Sequence, residues 1–167
     1  CIDLSYSRLQ NYLQIKTRPM KNNITANSTI NILSTSSAVW DALTKPELIK
    51  QYFFGTEAIS DWQEGSPIIF RGEWEGRSYE DKGTILIAEP DKLFRYAYWS
   101  SMSGIEDKPE NYVTITYELF EDGGITTLAI TKENIPDEDM KMHTIQKWKK
   151  VLNHLKDLLE KETVDNT

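Results

Sequence analysis

Between residues 137 and 162 the chain carries a pattern that only a long amphipathic helix satisfies. Ile145, Trp148, Leu152, Leu155 and Leu159 recur at steps of three and four and form one apolar stripe. Lys147, Lys149, Lys150, Lys156 and Asp157 fall mostly on the other side, and the lysine cluster reads as a solvated helix face. Asp137, Glu138 and Asp139 follow Pro136, where a helix N-terminus favours negative charge. A helix this long needs a broad surface to cover its stripe. What precedes it is a series of strand-like runs, so a sheet is its natural partner.

The first strand is expected over residues 24–33, where Ile24, Ala26, Ser28, Ile30 and Ile32 alternate. Ser34 to Ser37 offer N-caps for a short helix through Val39, Trp40 and Leu43. Thr44-Lys45-Pro46-Glu47 has capping-box spacing and predicts a second short helix through Leu48, Ile49 and Tyr52, ended by Gly55. Turn residues then recur at short intervals: Gly65-Ser66-Pro67, Gly76, Pro90-Asp91 and Asp122-Gly123-Gly124. They separate strands at 56–60, 68–74, 77–88, 93–99, 111–120 and 125–131, with a bulge expected at Gly83 and a polar loop at 100–110. This order predicts an α+β fold: a curved antiparallel sheet with two short helices and one long C-terminal helix in its concave face. Residues 1–19 lack a clear period and are expected to be an N-terminal extension, disordered or a non-native start, with a helix over 4–15 as the alternative. Residues 20–163 are expected to form the domain, and 164–167 a tail.

At 167 residues, 39% hydrophobic and 27% charged, the chain suits one globular domain with a substantial core. No window approaches the roughly 18 uninterrupted apolar residues of a membrane span. A net charge of −7 opposes nucleic-acid binding through phosphate neutralisation. The single cysteine, Cys1, rules out an intramolecular disulfide and a multi-cysteine metal site, and suits a reducing cytoplasm. The sequons at Asn23 and Asn27 are read as ordinary polar positions.

No phosphate-cradling glycine loop, zincin helix or nucleophile elbow appears, so no catalytic residue, metal or cofactor is assigned. Ser100-Ser101-Met102-Ser103-Gly104 is read as a flexible connection rather than a nucleophile. His143 and His154 share one helix at a separation of roughly 16 Å, too far apart for one metal. Glu73, Glu75, Glu80 and Asp81, interleaved with Arg71 and Arg77, flank Gly76 and are read as exposed cross-strand pairs at a hairpin tip.

The aromatic residues say more. Period-two alternation puts Phe94, Tyr96 and Tyr98 on one face and Leu93, Arg95, Ala97 and Trp99 on the other, while Val113, Ile115, Tyr117 and Leu119 share a face. A helix laid over a curved sheet leaves a space between them, which is a ligand-site geometry. Tyr96, Tyr98 and Tyr117 are candidates for its lining, because a buried hydroxyl needs a partner that a ligand can supply. Phe53, Phe70, Trp74 and Trp148 complete the wall. His143, near the mouth, has the chemistry of an acid or base.

Residues 30–48 (INILSTSSAVWDALTKPEL) resemble the opening of the START-like superfamily. More narrowly, they are similar to the domain related to the C-terminal part of the activator of the heat-shock-protein-90 ATPase. The matching features are Val39-Trp40 with Ala42-Leu43-Thr44 and Pro46-Glu47, then Gly65 before a strand, Gly83-Thr84-Ile85 leading to Glu89-Pro90, and the run at 93–99. The Trp148, Leu152, Leu155, Leu159 helix closes the pattern, so the resemblance spans about residues 24–162. It implies the helix-grip fold and a hydrophobic cavity between the last helix and the sheet, and it implies no catalytic set. Eukaryotic activators carry an additional N-terminal domain that helps engage the chaperone. Residues 1–19 are too short to supply it, so chaperone activation is not carried over. The expectation is a non-catalytic domain binding a small hydrophobic or amphipathic ligand, with no cofactor. The alternatives are a co-chaperone-like interaction or stress-response module and a cavity-based cyclase or hydrolase.

Overall fold

Strands with alternating burial, joined by tight turns, build one seven-stranded sheet in the computed structural model, which describes residues 4–18 and 20–165, and the side chains of 8–18 and 20–161. The strands are β1 (Ile24–Ile32), β2 (Glu57–Ile59), β3 (Pro67–Trp74), β4 (Arg77–Glu89), β5 (Leu93–Trp99), β6 (Val113–Asp122) and β7 (Ile125–Ile135). Their order is β1-β7-β6-β5-β4-β3-β2, antiparallel at every pairing. The described helices are α1 (Leu4–Lys16), α2 (Ser36–Thr44), α3 (Pro46–Tyr52) and α4 (Glu138–Asp165). This is the expected α+β, helix-grip-like architecture.

Local chemistry accounts for most of the joints. Gly123 and Gly124 sit at φ 60° and 82°, the left-handed pair that a two-residue hairpin between β6 and β7 requires. Thr35 caps α2 by accepting from the Ala38 N–H at 3.2 Å. The capping box expected at Thr44 does not form: α2 runs through Thr44, whose hydroxyl donates back to the Trp40 carbonyl at 2.8 Å, and Lys45 takes the cap position. Nor does Gly83 mark the bulge. The register shift in β4 lies between Ile85 and Ile87, while a Cβ at Gly83 would stand 1.9 Å from the Ala97 carbonyl oxygen. Glycine there permits close cross-strand approach.

Asp137 caps α4, accepting from the Met140 N–H at 2.8 Å. Residues 164 and 165, read as the start of a tail, continue this helix, and 166–167 lie outside the described residues. Trp148, Val151, Leu152, Leu155 and Leu159 are buried and Ile145 is half-buried, so the stripe faces the sheet. Across from it lie Ile32, Ile115, Leu119, Leu128 and Ile130, the inward residues of β1, β6 and β7.

The convex face has a smaller cluster. Ile15 of α1 is buried with Leu86, Ala97 and Tyr112, and Tyr12 and Trp99 pack beside them. Arg18 ties the end of α1 to β6 through the Tyr112 carbonyl at 2.9 Å and the Thr114 hydroxyl at 2.8 Å. Of the two readings of residues 1–19, the stretch from 4 to 16 takes the helical one; residues 1–3 and 19 lie outside the described residues. Among the described side chains of α1, only Tyr12 and Ile15 belong to this cluster, too few to leave a legible period.

Candidate functional site

The first half of α4 stands away from the sheet, and the space beneath it is a cavity of about 550 Å³. β5 supplies Phe94, Tyr96 and Tyr98, β6 supplies Ile115 and Tyr117, and β3 supplies Ile68, Phe70 and Trp74. Tyr79 and Asp81 enter from β4 and Lys132 from β7. α4 closes the roof with His143, Thr144, Lys147 and Trp148, and Tyr52, Phe53 and Phe54 close the side near α3. The eight residues singled out from the sequence, Phe53, Phe70, Trp74, Tyr96, Tyr98, Tyr117, His143 and Trp148, are all brought to this one space.

Ring contacts hold the apolar wall in shape. Phe94 and Tyr96 lie 5.3 Å apart, Phe70 meets both Tyr96 and Tyr98 at 5.9 Å, and Tyr117 stacks against Phe94 at 6.3 Å. Trp74 is 53% exposed and marks the rim, edge-on to Phe54 at 6.0 Å. Phe54 in turn meets the exposed His154 at 6.1 Å.

The polar groups are few and mostly engaged. Asp81 is buried, not part of an exposed hairpin tip as its neighbours suggested. It accepts from the Tyr98 hydroxyl at 2.5 Å, the Ser101 N–H at 2.8 Å and the Ser101 hydroxyl at 3.0 Å. The tight turn sits at Glu75-Gly76, and Asp81, paired with Phe70, is far enough down β4 to face inward. Arg71 and Glu80 do form the exposed pair expected there, at 3.0 Å. Ser101 thus anchors its loop to the cavity wall. Thr56 and Tyr79 share a hydrogen bond of 2.6 Å, and the Tyr52 hydroxyl donates to the Ala42 carbonyl at 2.7 Å.

Three lysines, Lys132, Lys147 and Lys150, complete the set. Lys132 donates to the Thr144 hydroxyl at 3.2 Å, and Lys147 holds its ammonium 5.0 Å above the centre of the Phe53 ring. Lys147, Lys149 and Lys150 are all exposed, as a solvated face implies, and Lys147 and Lys150 also border the cavity. Burial, aided by the charge of Lys147, brings Lys132 down to about 8. Burial lowers Lys147 too, against the opposing pull of Asp81. Burial raises Tyr52, Tyr96 and Tyr98 well above the ordinary phenol value and Tyr117 to about 12.

Lys132 was missed because the last strand was expected to end at 131, and β7 runs on to Ile135. The signal was present: Thr126, Leu128 and Ile130 face inward, and the next position in that phase is Lys132. His143 is exposed at the rim, and among the described residues no hydrogen bond or ion pair joins it to a carboxylate. Among the described residues no group of three or more metal-ligating side chains converges, and no helix is long and apolar enough to cross a membrane.

Comparison with known proteins agrees with this geometry. The family model described as activator of Hsp90 ATPase homolog 1-like protein matches residues 34–160. A protein from Cytophaga hutchinsonii, solved in solution, is 37% identical, with 87% of this chain and 99% of that one covered at a TM-score of 0.74. The Aha1 dimer from Colwellia psychrerythraea shares the fold at 21% identity, with coverage of 82% and 96% and a TM-score of 0.66. CalU16 from Micromonospora echinospora does so at 20% identity, with coverage of 86% and 88% and a TM-score of 0.61. No curated protein matches the sequence.

Proposed function

We propose, from the premise that this chain belongs to the activator of Hsp90 ATPase homolog 1-like family, that it is a binding module for one small hydrophobic or amphipathic molecule. The observation that carries this reading is the cavity of about 550 Å³, walled by Phe70, Phe94, Tyr96, Tyr117 and Trp148. Its size falls within the range of pockets that enclose a drug-sized ligand, and its walls are largely aromatic with a few placed polar groups, as such pockets are. Burying an apolar ligand against these rings gains the hydrophobic free energy of both surfaces, and the site is already formed, so little side-chain ordering opposes it.

The test is titration with the neutral fluorescent dye N-phenyl-1-naphthylamine. Saturable binding of one dye per chain is expected. Fluorescence that rises without saturating, or not at all, would overturn the reading. Native mass spectrometry of the protein taken from its own cells should also show a retained small molecule.

A further inference from the structure

Resting on that reading, we infer that the natural ligand is an amphipathic carboxylic acid: its carboxylate meets Lys132, Thr144 and Lys147 under α4, and its apolar body lies among the aromatic rings of β5 and β6.

The chain as a whole is acidic, at −7, yet three lysines, Lys132, Lys147 and Lys150, line the cavity. The ion pairs among the described residues involve Lys45, Arg71, Lys82, Lys108 and Lys156; Lys132 and Lys147 form none. Lys132 instead spends its hydrogen bond on the neutral Thr144 hydroxyl, and Lys147 rests over the Phe53 ring. The carboxylate that lines the same space, Asp81, is already held by Tyr98 and by two donors of Ser101. Three lysines against one carboxylate leave the cavity positive, and the half-buried Lys132 is the one whose charge is partly kept from water, where an unpaired charge is costly.

An anionic head offsets that charge. Thr144 serves Lys132 as acceptor, so its own proton remains to be donated to a ligand oxygen. A carboxylate with its two oxygens can then take one ammonium on each, together with that hydroxyl. The depressed basicity of both lysines agrees with this placement, since it records the cost of charge that a bound anion would relieve. A neutral alcohol would leave the surplus charge in place, and an amine would add to it.

The probes are decanoate, decan-1-ol and decylamine, each used to displace N-phenyl-1-naphthylamine at neutral pH. Decanoate should compete at concentrations about tenfold or more below decan-1-ol, as expected for charge-assisted hydrogen bonds, with decylamine weakest. Lys132→Met should bring decanoate to the level of decan-1-ol. Lys147→Met should remove part of the preference, with thermal melting of each variant as the check on folding. Equal displacement by all three compounds overturns the acid inference and leaves the binding reading intact. So does a preference for decanoate that survives both substitutions. Failure of the dye itself to bind overturns both.

Discussion

The two halves of α4 present the same stripe to the same sheet and meet it differently. In the second half, Leu152, Leu155 and Leu159 are buried against β1, with Leu155 at 1% exposure. Polar contacts secure that end: Lys156 donates to the Asn31 carbonyl at 2.7 Å, and Glu160 accepts from the Leu33 N–H at 3.1 Å. In the first half, the corresponding surface carries Thr144, Lys147 and Trp148, and a cavity lies beneath it. Leucine at every inward step fills space; threonine, lysine and one large ring at those steps leave space and line it. Amphipathic periodicity therefore tells that a helix covers something, while the identity of the inward side chains tells whether the cover is a seal or a lid.

Mutations can break or sharpen this contrast. Leu155→Ala should cost about 4 kcal/mol in urea denaturation, because a fully packed leucine leaves a void its neighbours cannot fill. Trp148→Ala should cost less, about 3 kcal/mol, since one side of that ring already borders open space. The reverse order would make the first half of α4 the principal clamp.

Next in size is Lys132, whose effect appears in the pH dependence of stability. Its folded-state value is about 8 and its ordinary value 10.5, so between these the unfolded chain binds the proton and the folded chain does not. Stability should therefore rise with pH through that window, by on the order of 2 kcal/mol, and Lys132→Met should abolish the rise and match or exceed the parent below pH 8. The titratable groups that line the same cavity include Lys147 and His143 from α4, Asp81 from β4, Tyr96 and Tyr98 from β5 and Tyr117 from β6. The tyrosines, raised by burial, act in the opposite sense above about pH 10, where the unfolded chain releases phenolic protons that the folded chain keeps. Stability measured from pH 7 to 10 that stays flat would remove Lys132 from the cavity. The smallest effect belongs to His143→Ala, which should change stability by less than about 0.5 kcal/mol and leave dye affinity nearly intact. A large loss would move this exposed residue from the rim into the wall.

Reading the chain in order succeeded where a short period sets the answer. The α4 stripe, the split of β5 into Phe94, Tyr96 and Tyr98 against Ala97 and Trp99, and the Gly123-Gly124 hairpin all follow from neighbours a few residues apart. It failed on charge. Asp81 looked like part of a hairpin tip, because a polar side chain next to other polar side chains is usually in water. Lys132 passed unnoticed at the end of a strand drawn too short. At α1, Tyr12 and Ile15 by themselves left no period to detect among the described side chains.

Along one strand or one turn of helix, side-chain direction is set by backbone geometry, and so the amino-acid order alone suffices to say which rings look inward and that a long helix must cover them. Whether a carboxylate or an ammonium is buried depends on what lies across from it, on strands and helices many residues away. Asp81 meets Tyr98 and Ser101, and Lys132 meets Thr144, only once the sheet has curved beneath α4. That closure turned an aromatic face into a cavity and left Lys132 half-buried in its wall, because the desolvation of a charge is a property of its whole surroundings and not of its neighbours in the chain.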